Sequence, residues 1–337
     1  MALQFILGPS GAGKSEYIYE DIIRRTMQDE RENVIVLVPE QYSLEIQRKL
    51  VQKHPRGGSF QIDVIGFNRL AYRIFDELHI KPKKVLEDFG KSMLLRKAAQ
   101  EHKEELSLYA GSLDKAGFID EAKSLMSEIY QYDIPRERLR EALQKLDDSE
   151  EARVLARKLQ DMLVIFDAFE EKKGQSFIVA EQMLELLTAA AEQSELIAGS
   201  EIVLDGFTGF TPIQLNLISV LLRRAKKVTI VLTIDAATYE KKHVAEHELF
   251  ALTKQTIEHL LLTAEQAHVV VEPALFLGKD GCKRWSKGHP LAHLEQNLFR
   301  YPYRVGKDEE QAITITAYDT PAQELTGVAE QIRTLVM

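Results

Sequence analysis

Short apolar, β-branched runs alternate with amphipathic stretches at the beginning of the chain and again after residue 200. The runs are "LQFIL" (3–7), "NVIVLV" (33–38), "FQIDVI" (60–65), "EIVLD" (201–205), "VTIVLTI" (228–234) and "HVVV" (268–271). Bounded by turn residues and separated by helical patterns, such runs predict buried parallel strands. After the first run, Tyr19, Ile22, Ile23 and Met27 share one helical face; after the third, Leu70, Ile74, Phe75 and Leu78 do the same. The expected unit is strand, helix, strand.

Between residues 80 and 198 the β-branched runs stop. "VLEDFGKSMLLRKAAQEH", "FIDEAKSLMSEIYQY", "SEEARVLARKLQDMLVIFDAFEEK" and "FIVAEQMLELLTAAAEQ" repeat apolar residues at spacings of three and four, with breaks expected at Pro82, Pro135 and Gly174. The pattern predicts an α/β sheet domain in two parts, residues 1–79 and 199–305, around a helical subdomain at 80–198. The last stretch, 312–337, reads as a further strand and a helix. There Thr320 and Gln323 form a capping-box pair, Pro321 opens the helix, and Val328, Ile332 and Leu335 make a stripe. That pair is expected to open a second sheet domain, as in a fragment of a longer protein.

Composition narrows the class. With 45% hydrophobic and 28% charged residues the chain is ordinary globular protein, and a net charge of −9 makes any contact with a polyanion local. A single cysteine, Cys282, excludes an intrachain disulfide, a four-cysteine zinc site and a self-contained iron–sulfur cluster. No window reaches the roughly eighteen apolar residues of a spanning helix, and the apolar start lacks a basic flank and a cleavage site. The expectation is a cytoplasmic protein with no membrane contact.

Gly8, Pro9, Ser10, Gly11, Ala12, Gly13, Lys14 and Ser15 match G-x-x-x-x-G-K-[ST] in full, between a predicted strand and a predicted helix. In such a loop, backbone amides surround phosphate oxygens, Lys14 reaches the outer phosphates and the Ser15 hydroxyl ligates Mg²⁺. The chemistry points to ATP with Mg²⁺. Asp205, after the strand at 201–205, is the candidate second metal group, and the position after it, where a water-orienting glutamate is common, is Gly206. Loss of that carboxylate typically costs about 10²- to 10⁴-fold in rate. Holding a nucleotide is therefore expected to outrun hydrolysing it.

"DGFTGFTPIQ" resembles motif II of UvrD-like superfamily 1 helicases, with Asp205, Phe207 and Gln214 kept and Gly206 in place of glutamate. With "LGPSGAGKSEYI", "VLVPEQYSLEIQRKL", "VIGFNRLAYRIF" and "ELFALTKQTIEHL" in the same order, essentially the whole chain resembles the AddB (RexB) subunits of AddAB-type ATP-dependent helicase/nucleases. The resemblance implies a RecA-like P-loop domain with an inserted helical subdomain and the start of a second RecA-like domain at about 312. It implies an AddA-type partner in a heterodimer, double-strand DNA ends and single-stranded DNA as substrates, and a role in recombinational break repair. The family's nuclease and iron–sulfur cluster have no ligands in this segment. Gln214 would sense the outer phosphate, and Gln41, Tyr42, Phe67, Asn68 and Arg69 would meet unpaired bases and backbone. Residue 66 is glycine where the family pattern leads one to expect serine. The basic groups Lys81, Lys83 and Lys84, and Arg223, Arg224, Lys226 and Lys227, read either as phosphate contacts or as solvated helix ends.

Three other readings remain open on sequence. "HVAEH" (His243–His247) fits H-x-x-E-H, a zinc-hydrolase pattern when it lies on a helix. A stand-alone P-loop kinase or switch would need its own lid and acceptor site. A scaffold would keep the P-loop only as a strut.

Overall fold

The computed structural model describes residues 1–337 except Glu30, Pro82, Asp148, Gln175, Lys279–Cys282, Lys287, Asp308 and Glu310, and describes Ala116 without its side chain. The expected break at Pro82 and the lone Cys282 thus lie outside the described residues. The chain divides into two units, Met1–Pro9 with Lys14–Leu277, and Ser10–Gly13 with Gly278–Met337.

The first unit is built on a parallel sheet. Its strands are β1 (Ala2–Gly8), β2 (Asn33–Leu37), β3 (Ile62–Ile65), β6 (Ser200–Leu204), β7 (Lys227–Thr233), β8 (Val270–Val271) and β9 (Leu275–Phe276). The order across the sheet is β3-β2-β6-β7-β1-β8, with β9 also pairing β1. A further parallel pair, β4 (Lys84–Leu86) with β5 (Phe177–Val179), stands apart from it. The helices follow in chain order: α1 (Lys14–Gln28), α2 (Ser43–Lys53), α3 (Phe67–Glu77), α4 (Asp88–Glu101), α5 (Ala116–Gln131), α6 (Arg136–Gln144), α7 (Glu150–Lys173) and α8 (Ala180–Ala191). After these come α9 (Glu195–Ala198), α10 (Pro212–Arg224), α11 (Ala236–Glu240) and α12 (Ala251–Gln266) in the first unit, then α13 (Pro290–Asn297) and α14 (Pro321–Val336) in the second.

The central strands alternate strictly between two cores, as a period of two demands when both faces are covered. Phe5, Leu7, Ile35, Leu37, Ile202, Leu204, Ile230 and Leu232 face one core, which α3, α8, α10 and α12 complete. Ile6, Val34, Val36, Val203 and Val231 face the other, with Ile18, Tyr19 and Ile22 of α1 and Ile46 and Leu50 of α2. Nearly every one of these side chains is lost to solvent, and truncating such a residue to alanine typically costs about 2–5 kcal/mol. Because the central strands are parallel, the turns after β1, β2, β3, β6 and β7 all leave the same edge. That edge is where open α/β sheets collect ligand groups.

The helical insertion carries its own core, in which Leu95, Ala98, Ile119, Met126, Phe166 and Phe169 of α4, α5 and α7 meet. Pro135 stands at the N-cap of α6 and Gly174 ends α7, as the breaks predicted. The edges of the insertion differ from expectation. Its first and fourth predicted helices open with extended residues, Val85–Leu86 preceded by Lys84 and Phe177–Val179, which pair as β4 and β5 in register Lys84↔Phe177 to Leu86↔Val179. Each run is too short to reveal itself without its partner. Met183, Leu187 and Ala191 of α8 already belong to the sheet core, so that core resumes before residue 199.

One local expectation fails, and the HVAEH segment lacks the helix that a zinc site would need. Residues 312–317 form no strand, since a strand needs a ladder partner and none is present for them among the described residues. The helix after them does form, with Thr320 Oγ1 accepting from the Gln323 amide (3.3 Å). The segment around Ala245 is a turn rather than a helix, and α12 starts only at Ala251. Glu248 accepts from the Ala245 amide (3.1 Å) and pairs with Lys241, a side-chain alternative to helical bonding. His243 and His247 therefore do not sit one helical turn apart.

Candidate functional site

Gly8 closes β1 and the loop runs to Lys14, where α1 begins. Gly13 takes φ +84, a left-handed conformation that favours glycine. The Lys14 ammonium donates to the carbonyls of Gly8 and Pro9, both at 2.9 Å. Within the second unit, the Gly11 carbonyl accepts from the amides of Lys283 (2.9 Å) and Arg284 (3.2 Å). A Cβ on Gly13 would meet Lys283 Cδ at 3.0 Å. These two exposed cations beside Gly11 and Gly13 were not found by sequence reasoning, because a lysine and an arginine some 270 residues downstream carry no spacing signal.

Asp205 follows β6, with β7 lying between β6 and β1 in the sheet. It is 4% exposed. Its Oδ1 accepts the amide of Gly206 (2.9 Å), and its Oδ2 accepts the hydroxyl of Tyr19 (2.6 Å). Tyr19 lies one turn along α1 from Ser15. Burial first, and then the Asp205 carboxylate, hold the phenol far above its usual range, with Ser15 pulling weakly the other way. The phenol stays protonated and donates.

A magnesium ion held by Ser15 and Asp205 would require an open carboxylate edge facing the serine. The structure sets the Tyr19 hydroxyl, one turn along α1 from Ser15, against Asp205, and each carboxylate oxygen already accepts one hydrogen bond. As arranged, the pair does not fit the ion. Gly206, beside it, has φ +81, and an added Cβ would lie 3.4 Å from Pro39 Cδ. The glutamate familiar at this position would be strained here whatever its chemistry.

Gln214 lies in the first turn of α10, where its Oε1 accepts the Thr211 amide (3.0 Å) in a capping box. Its side chain is thus committed to the helix start. The aromatic rings after β3 and β6 form a row, Phe67 to Phe207 at 5.4 Å and Phe207 to Phe210 at 5.3 Å. Phe67 packs on the sheet core in this row rather than standing open. Gln41, Tyr42, Asn68 and Arg69 are exposed after β2 and β3. Glu40, which sequence reasoning passed over, ties these two turns together. Its carboxylate accepts the amide of Asn68 (3.0 Å) in the first turn of α3 and occupies the space beside Gly66. Of the basic groups near residue 225, Arg223 pairs with Glu192, Arg224 with Glu195 at 3.7 Å and Lys227 with Glu272 at 2.6 Å.

Among the described residues no group of three or more His, Cys, Asp or Glu side chains could hold a metal ion, and no helix is long and apolar enough to cross a membrane.

Comparison with known proteins accounts for nearly all of the chain. It is 37% identical over its whole length to the AddB subunit of the ATP-dependent helicase/deoxyribonuclease of Lachnoclostridium phytofermentans, covering 29% of that protein. It is 32% identical to the protein of the same name from Caldanaerobacter subterraneus (100% of this chain, 28% of the relative), and 31% identical to that from Clostridioides difficile (100% and 29%). The chain thus spans less than a third of the length of these relatives. The family described as ADDB, N-terminal, matches residues 5–295, and the chain belongs to that family.

Proposed function

We propose that this chain is the amino-terminal, helicase-like segment of an AddB-type subunit, a RecA-like domain that binds ATP and single-stranded DNA. It serves an ATP-dependent helicase/nuclease assembled with an AddA-type partner, acting on double-strand DNA ends in recombinational repair. The observation that carries this reading is the complete phosphate-loop sequence at the carboxyl edge of a parallel sheet, in a chain of the AddB family. The insertion of β7 between β1 and β6 supports the RecA-like assignment. Lys14 and the loop amides would take the phosphates. Tyr42, Gln41, Asn68 and Arg69 would offer a stacking face, amides and a cation to a single strand, while Phe67 backs them from the core.

Hydrolysis by this segment is slow in this reading, because Gly206 supplies no water-orienting carboxylate. A fluorescent ATP analogue and a labelled single-stranded oligonucleotide, titrated into the wild type and single variants, test the proposal. Lys14→Ala should weaken nucleotide binding at least about tenfold, or 1.4 kcal/mol. Tyr42→Ala and Arg69→Ala should weaken the oligonucleotide, with Arg69→Ala also flattening its salt dependence. Turnover of ATP above about one per second would overturn the slow-site reading.

A further inference from the structure

Resting on the nucleotide reading above, the geometry points to a phosphate site that works without a protein-seated divalent cation: we propose that the Tyr19 hydroxyl replaces the ion between Ser15 and Asp205. A carboxylate that holds a cation, directly or through its water, must turn lone pairs towards it. In Asp205 one oxygen is taken by the adjacent Gly206 amide and the other by a 2.6 Å bond from Tyr19. The whole residue is 4% exposed, and Tyr19 itself is 3% exposed. Water that would hydrate an ion has little access to either.

The neutral phenol reproduces part of what a hydrated ion does there. It donates to the carboxylate and ties the first turns of α1 to the end of β6. It carries no charge, however, so it contributes nothing to neutralising phosphates. That duty falls to Lys14. Displacing the phenol would strip a buried hydroxyl of its acceptor, at a cost of the order of a whole hydrogen bond with a charged partner. Tyr19 is packed on Ile18, Ile22 and the second sheet core, which leaves the ring little freedom to withdraw. The nucleotide is thus expected to bind with only the cation it carries in solution.

The test compares affinities for the fluorescent ATP analogue in excess magnesium and in excess EDTA, using the full chain and its Tyr19→Phe, Asp205→Asn and Lys14→Ala forms. In the wild type, removing the cation should change the dissociation constant by less than about threefold, and Asp205→Asn should do no more. Tyr19→Phe, which keeps the packing and frees the carboxylate, should make binding magnesium-sensitive and should take up Mn²⁺ without nucleotide in an electron-paramagnetic-resonance titration. A wild type that loses about tenfold or more affinity in EDTA, with Asp205→Asn reproducing that loss, overturns the proposal while leaving nucleotide binding intact. Equal affinity of Lys14→Ala and wild type, or no binding in either buffer, overturns the nucleotide reading itself. In that event the Mn²⁺ titration still decides Tyr19: uptake by the wild type refutes its role, and uptake by Tyr19→Phe alone upholds it.

Discussion

Two turns on the same edge of the sheet each hold a glycine where a related motif has a functional side chain, and the physical reasons are opposite. After β6, Gly206 has φ +81, so the backbone excludes other residues and the neighbouring space is tolerant, with Pro39 Cδ at 3.4 Å from an added Cβ. Before α3, Gly66 has an ordinary extended conformation, φ −92 and ψ 177. There the space is filled by the far end of the exposed Glu40 side chain, whose Cδ would lie 2.2 Å from an added Cβ and would have to move aside. One glycine answers to dihedral angles and the other to a neighbour. A missing motif residue therefore does not have one meaning. At 206 the backbone could not present a glutamate without strain, whereas at 66 it is Glu40 that accepts the Asn68 amide at the start of α3.

The carboxylates beside these turns rank in the same way, and mutation can break or sharpen the contrast. The upper limit comes from Asp161 in the insertion, 1% exposed, which accepts from the amides of Ser107, Leu108 and Tyr109 and from the Ser107 hydroxyl. Asp161→Ala should cost about 3 kcal/mol in urea unfolding. Burial pushes this carboxyl up, but the amides of Ser107, Tyr109 and Leu108 outweigh it and hold it below its usual range. Its contribution is therefore complete above the unfolded value, about pH 4, and drains away as pH falls through the lower folded value. Asp161→Asn should flatten that acid limb of the stability curve.

Asp205→Ala comes next, at about 2 kcal/mol, since it leaves the buried Tyr19 hydroxyl without its acceptor. Gly206→Ala should cost about 1–2 kcal/mol from left-handed strain alone. Gly206→Glu should be no less costly, and ATP hydrolysis by that variant should stay within about tenfold of wild type. A larger gain would mean that backbone strain was not the obstacle. Smallest is the cap on α3: Glu40→Ala should cost about 0.5–1 kcal/mol. Gly66→Ser should repay most of that in the Glu40→Ala background and little in the wild type. Additive values in this double-mutant cycle would refute a shared cap.

Much of this was legible without coordinates. The six predicted strands form within a residue or two of their expected limits, five of them as largely buried runs whose periodicity needs no partner to be seen, while in β8 Val270 and Val271 stand exposed rather than buried as expected. The phosphate loop, the insertion and the family likeness were equally local or ordered signals. Other features depended on neighbours. β4 and β5, three residues each, exist only because they pair; residues 312–317 are apolar enough to extend but lack a partner among the described residues. Gln214 reads as a phosphate sensor in its motif and serves here as a helix cap.

The sequence by itself determined the strand and helix pattern, the glycine loop and the membership in a family, since those reside in residue order. Only the tertiary structure decided what Ser15 and Asp205 face. They are 190 positions apart along the chain, and the phenol that meets Asp205 belongs to a residue whose place on a helical face announced nothing beyond core packing. Hydrogen bonds between distant residues depend on where the sheet brings them, and no spacing rule along a chain records that.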